Sequence, residues 1–123
     1  MAGCTDPVGL EDGRVKDSQL SSNHSQRTTF KARLNYEYGA WCSDTSDVNH
    51  DFLQINLPNV QHISRIATQG MRGSYPTRKS SYVKTFVIEY SYDETTWFSY
   101  KGSDGSIQVI TIFSLNSFLQ MIK

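Results

Sequence analysis

The sequence predicts an all-β domain whose antiparallel strands form a sandwich or barrel, and three observations carry that prediction. Phe52-Leu53-Gln54-Ile55-Asn56-Leu57 puts Leu53, Ile55 and Leu57 on one side and Gln54 and Asn56 on the other, the two-residue period of a half-buried strand. Val83–Ser91 repeats the pattern: Phe86, Ile88 and Tyr90 share one face, Val87 lies on the other with Thr85 and Glu89, and β-branched and aromatic residues are enriched. Turn-forming clusters, Ser91–Thr96 and Gly102-Ser103-Asp104-Gly105, cut the following chain into short lengths.

Each element follows from local chemistry. Gly9, Glu11-Asp12-Gly13 and Asp17-Ser18 make the opening stretch a turn-rich, ordered loop with at most one short strand, anchored by Val8, Leu10, Val15 and Leu20. Ser21–Thr29 is small and polar, the composition of a surface loop, and Phe30 closes it. Strand-like segments are predicted over Ala32–Cys42, Phe52–Leu57, Ile63–Gly70 and Val83–Trp97. Trp97-Phe98-Ser99-Tyr100 should fold back as a hairpin, and Ile107–Ile110 should follow the next turn. Ile112, Leu115, Leu119 and Ile122 recur at three- and four-residue spacing, so Thr111–Lys123 reads as an amphipathic helix.

A chain of 123 residues supports one domain. Its 12 basic residues balance 12 acidic ones, so overall charge makes no case for nucleic acid as a partner. No apolar run is long enough to span a membrane, and Met1-Ala2-Gly3-Cys4 leads into polar sequence without the layout of a signal peptide. Cys4 and Cys42 lack metal-ligand spacing; a mutual disulfide, two reduced thiols and bonding to other cysteines all remain open.

No enzyme is expected. His24, His50 and His62 share no compact ligand spacing, and Asp44, Asp47 and Asp51 lack the loop and terminal Glu of a calcium-binding hand. Nucleophile-elbow and phosphate-loop motifs are absent, so neither a metal nor an organic cofactor is predicted. Binding is better supported. The loop Met71–Ser81 carries Arg72, Arg78 and Lys79 with no acid, beside Met71, Tyr75 and Pro76. Cations next to apolar and aromatic groups suit a partner with both acidic and apolar features. Asn23-His24-Ser25 is an N-glycosylation acceptor pattern, relevant if the chain is secreted.

These segments resemble the discoidin, or coagulation-factor type C, domain. The resemblance is carried in order by Cys4, Gly9–Gly13, Lys16–Ser21, Ala32-Arg33-Leu34-Asn35, Gly39-Ala40-Trp41, Phe52–Leu57, Ala67-Thr68-Gln69-Gly70 and Tyr90–Asp93 through Trp97. Within the family, Gly39-Ala40-Trp41-Cys42 followed by Asp51-Phe52-Leu53-Gln54 is most similar to the collagen-binding discoidin domain receptors. The resemblance covers residues 4–110 and implies a galactose-binding-like, jelly-roll β-barrel of eight strands. The ligand would meet loops at one end, here Ser21–Phe30, Leu34–Trp41 and Met71–Ser81.

The receptor resemblance also assigns candidate ligand-binding residues. Thr28 matches the receptor Thr, His24 stands at its Trp, Tyr38 at an acidic position and Met71 at an Arg, with Arg72 adjacent. Arg78 and Lys79 occupy the neighbourhood of the third loop's acidic residue, and Tyr75 lies between. The implied function is an extracellular or cell-surface adhesion module of receptor type, holding a matrix protein such as collagen. Related type C domains imply a second reading, in which Met71 and Tyr75 insert beside Arg72, Arg78 and Lys79 into an anionic phospholipid surface. Carbohydrate binding is a third. The family would pair the counterparts of Cys4 and Cys42 with cysteines in closing strands, whereas this chain continues as the helix-patterned 111–123. An incomplete barrel and marginal stability are therefore expected.

Overall fold

The computed structural model describes residues 6–23, 26–43, 51–71 and 82–111. Among them six short strands form three two-stranded antiparallel ladders. Strand β1 (Leu20–Ser22) pairs with β2 (Leu53–Ile55), setting Leu20 opposite Ile55 and Ser22 opposite Leu53. Strand β3 (Thr85–Val87) pairs with β6 (Val109–Thr111), and β4 (Glu89–Tyr90) with β5 (Phe98–Ser99). Two 3-10 helices, Asp17–Gln19 and Gln26–Lys31, flank β1. No helix among the described residues is long and apolar enough to cross a membrane.

The tightest packing lies on the N-terminal side, where Val15, Leu20 and Thr29 are buried. Gly9 makes the approach to Val15 possible. Its φ is +98°, and a Cβ there would lie 2.5 Å from the Cβ of Arg14. The Val15 N–H then donates to the Gly9 carbonyl at 2.8 Å. Across the first ladder, the Asn56 N–H donates to the Gln19 carbonyl at 2.8 Å, and the Gln19 side chain returns a bond from Nε2 to the Asn56 carbonyl at 2.7 Å. The pairing thus continues past the end of β1.

On the C-terminal side, β3 and β4 are one extended run interrupted at Ile88, whose carbonyl accepts from the Tyr100 N–H at 2.8 Å. Beyond that bond Val87 faces Val109 rather than Lys101, so residues 101–108 leave the ladder as a hairpin of their own. The bridge between Lys101 and Ile107 and a 2.9 Å bond from the Gly102 N–H to the Ser106 carbonyl close it. The predicted alternation holds through Ile88, with Phe86 and Ile88 half-buried and Thr85, Val87 and Glu89 exposed, but not at Tyr90, which is exposed. Tyr90 stacks on Phe98, with centroids 5.6 Å apart and planes 27° apart.

Several expectations are corrected. Ala32–Cys42 is no strand, because Asn35 and Gly39 take φ values of +58° and +122°, which bend the chain through successive turns. Ile63–Gly70 has only an isolated bridge position at Arg65. Ser21–Phe30 is not simply loop: Ser21 and Ser22 complete β1, and Gln26 onward is helical. The Gln26 side chain drives that change. Its Oε1 accepts from the Ser22 N–H at 2.7 Å and its Nε2 donates to the Leu20 carbonyl at 3.1 Å. The helix reading of 111–123 lies outside the described residues except at Thr111, the last residue of β6.

Candidate binding surface

Loops hold a fixed shape only when something anchors their backbone, and here polar side chains do so. Arg33 immediately precedes the second loop. Its guanidinium is only 11% exposed and donates to the carbonyls of Leu10 and Val15, the latter at 2.9 Å, and to Asp17 Oδ1 at 2.6 Å. A planar fork with five donors can satisfy three acceptors at once, which an ammonium cannot do in this geometry. The loop root is therefore tied to the buried Val15 region.

Asn35 comes next, in the left-handed conformation that asparagine tolerates better than most residues. Its N–H donates to Gln69 Oε1 at 2.6 Å, and Gln69 Nε2 donates back to Asn35 Oδ1 at 3.0 Å. Its Nδ2 donates to Glu11 Oε1 at 2.6 Å. Gln69 lies two residues before Met71, so the second and third candidate loops leave the scaffold from one point.

The first loop joins the second through aromatic contact. Phe30, at the end of the 26–31 helix, meets Tyr36 edge-on at 5.8 Å, and Tyr36 meets Tyr38 edge-on at 5.9 Å. Lys31 Nζ sits 6.0 Å from the Phe30 centroid. The row ends at Tyr38, which is 76% exposed. It combines a stepped aromatic surface, a phenol at its tip and an adjacent cation.

The sequence-predicted residues fall unevenly on this surface. Tyr38 is its most exposed aromatic; Thr28 is half-buried within the 26–31 helix; Met71 is half-buried at the start of the third loop. His24, Arg72, Tyr75, Arg78, Lys79 and Cys4 lie outside the described residues. Asn23 is exposed, and its Oδ1 accepts from the Phe52 N–H at 3.1 Å. Cys42 is exposed and carries no disulfide. The candidate loops Ser21–Phe30 and Leu34–Trp41 include Phe30, Tyr36 and Asn35 without singling them out, and sequence reasoning missed Lys31 as a member of the surface and Arg33, Asn35 and Gln69 as its anchors. The spacing of Phe30, Tyr36 and Tyr38 around Lys31 was the available signal for the surface members.

The shifted acids mark turns. Asp93 is held well below the ordinary carboxylate range, first by the Thr96 N–H and then by the Thr95 N–H and the Ser91 hydroxyl. Asp104 is lowered chiefly by the side chain and backbone N–H of Ser106, and Asp12 by the N–H of Arg14. Each caps its own local turn, which accounts for its shift without any role in proton transfer.

Residues 16–117 match the F5/8 type C domain. The chain is 33% identical over 125 residues to the venom prothrombin activator omicarin-C non-catalytic subunit of Oxyuranus microlepidotus, covering 95% of this chain and 8% of that protein. It is 32% identical over 124 residues to coagulation factor V of Mus musculus, covering 94% of this chain and 5% of the relative. Coagulation factor VIII of Sus scrofa is 34% identical over 109 residues, covering 86% and 5%. The chain thus spans less than a tenth of the length of these relatives. They are coagulation proteins, where the receptor-like residues had pointed to discoidin domain receptors.

Proposed function

Because this chain belongs to the F5/8 type C domain family, a galactose-binding-like all-β fold, we propose that it is a non-catalytic, extracellular module that seats its loop end on an anionic phospholipid surface. One observation carries the reading: the Phe30–Tyr36–Tyr38 row, with Lys31 beside it, ends in an exposed tyrosine on the second loop. Amphipathic rings favour the headgroup boundary, and each nearby cation adds about 1 kcal/mol at an anionic leaflet. Arg72, Arg78 and Lys79 of the third loop would add to that attraction. The coagulation-factor relatives support this reading over the receptor one. The name of the venom relative, a non-catalytic subunit, supports a binding role rather than chemistry.

The collagen reading finds no support in these relatives. It also asks for an acid where Tyr38 stands exposed. Sedimentation with phosphatidylserine–phosphatidylcholine vesicles, against phosphatidylcholine alone, tests the proposal. Binding should need the anionic lipid, weaken as salt rises, and fall severalfold in Tyr38→Ser and Lys31→Glu. Equal binding to both vesicle types, or affinity for triple-helical peptide unaffected by those substitutions, would overturn it.

A further inference from the structure

We propose that the reciprocal amide pair of Asn35 and Gln69 is a clasp that holds the root of the second loop against the 67–71 segment, making Gln69 a positioning residue for the Tyr36–Tyr38 surface. The inference rests on the membrane-surface reading for what the loops bind, but the clasp itself stands on geometry. Two residues 34 apart in sequence exchange hydrogen bonds in both directions, from the Asn35 backbone and from the Gln69 side chain. Asn35 Nδ2 also donates to Glu11 Oε1, so three segments meet at one residue.

The residue types are the ones this junction requires. The +58° φ at position 35 restricts the choice chiefly to glycine, asparagine and aspartate. Glycine offers no acceptor for Gln69 Nε2, and aspartate would lose the donor to Glu11 and place a second carboxylate against it. At position 69 only a primary amide long enough to span the gap supplies an acceptor and a donor together.

The location gives the clasp its function. Asn35 immediately precedes Tyr36, and Gln69 lies two residues before Met71, so the clasp sits at the root of both loops rather than at their tips. Asn35 and Gln69 are both exposed, so their bonds compete with water and add little to global stability. Their effect is to restrict the direction in which the second loop leaves the scaffold. Prepaid ordering of that kind appears as affinity when both loops must engage one surface together.

The test uses the full 123-residue chain and three substitutions: Gln69→Ala, Gln69→Glu and Asn35→Gly. Gln69→Ala removes both bonds, Gln69→Glu keeps the acceptor for the Asn35 N–H and loses the donor, and Asn35→Gly tolerates the positive φ while removing the side chain. Backbone and aromatic NMR spectra report the coupling, and titration with phosphatidylserine–phosphatidylcholine vesicles reports its consequence. Gln69→Ala should shift the Asn35 amide and the Tyr36 and Tyr38 ring resonances and leave Tyr90 and Phe98 unmoved. It should weaken vesicle binding about threefold to tenfold, with Gln69→Glu in between. Unchanged Tyr36 and Tyr38 resonances in both Gln69→Ala and Asn35→Gly would overturn the clasp. So would shifted rings with unaltered vesicle affinity, or global unfolding by both substitutions. A wild-type chain that ignores the vesicles sinks the membrane reading, while the ring shifts still decide for or against the clasp.

Discussion

Arg33 is the point at which the loop end and the packed N-terminal region depend on one side chain, and its replacement separates hydrogen bonding from charge pairing. Arg33→Met keeps the aliphatic stem and leaves the carbonyls of Leu10 and Val15 without their donor. An unsatisfied buried acceptor costs about 1–3 kcal/mol, and partial access of water to these two brings the expected total to about 2–4 kcal/mol. The ion pair to Asp17 contributes much less, because Asp17 is 71% exposed and a screened pair of this kind is worth about 0.2–1 kcal/mol. Asp17→Asn removes that pair alone, and Arg33→Lys, which retains the charge without the fork, should fall between Asp17→Asn and Arg33→Met. Urea unfolding followed by tryptophan fluorescence measures all three, and the differences should appear in the midpoint with the slope unchanged. Repeating the series in 1 M salt should shrink the Asp17→Asn effect and spare Arg33→Met. If Asp17→Asn costs as much as Arg33→Met, or Arg33→Lys costs nothing, the guanidinium is not acting as a multiple donor and the reasoning is wrong.

Other outcomes follow from the same geometry. Gly9→Ala should destabilise the chain by more than 2 kcal/mol, since it combines a positive φ with a Cβ 2.5 Å from Arg14, whereas Gly13→Ala, with nothing within 4 Å, should cost only about 1–2 kcal/mol; thermal melts of the pair give the difference. Leu20, 1% exposed, should cost about 2–5 kcal/mol as Leu20→Ala by the same measurement. Asp93, Asp104 and Asp12 all have carboxyl pKa values lowered from 3.8, so their stabilising contribution is complete above about pH 4–5 and is lost as pH falls through the depressed native values. Asp93→Asn should therefore flatten the acid limb of a stability-against-pH curve, and an unchanged limb would count against the Ser91–Thr96 turn as drawn. Phe98→Ala should remove about 0.5–1.5 kcal/mol of ring stacking with Tyr90 beyond its area term, readable in a double-mutant cycle with Tyr90→Ala.

The parts of the fold legible in the sequence are those governed by side-chain period. Leu53–Ile55 and Thr85–Val87 are strands because apolar groups at every second position have one face to bury, and Ser91–Thr96 is a turn because Asp93 caps its own downstream N–H groups. Ala32–Cys42 misled for the opposite reason. Its aromatic and apolar residues resemble a strand by composition, but Arg33 and Asn35 spend their side chains on distant partners, and those long-range bonds decide the backbone. A hydrogen bond between residues 35 and 69 leaves no periodic mark. Of the candidate surface, the sequence marked the loops 21–30 and 34–41 that contain Phe30, Tyr36 and Tyr38, whereas the edge-on meeting of Phe30 and Tyr36 was not legible, because it depends on the turn with positive φ at Asn35.

The same contrast explains how a loop surface can vary its ligand without endangering the fold. Arg33, Asn35, Gln69 and Gln26 hold the loop roots by bonds from side chain to backbone or to another amide, and the apolar positions Val15 and Leu20 lie behind them. Substitution at Tyr38 changes a group that is 76% exposed and touches only Tyr36 in the aromatic row. Its cost to stability should be small, while its effect on the proposed membrane binding should be direct. Substitution at an anchor does the reverse, changing where a tip points without altering its chemistry. A receptor-like and a coagulation-type module can therefore share the anchoring residues and differ at the tips. Residues that identify the family then say little about its ligand. Here the anchors carry the discoidin pattern, in Ala32-Arg33-Leu34-Asn35 and Ala67-Thr68-Gln69-Gly70, while the tip at Tyr38 departs from the collagen-binding one.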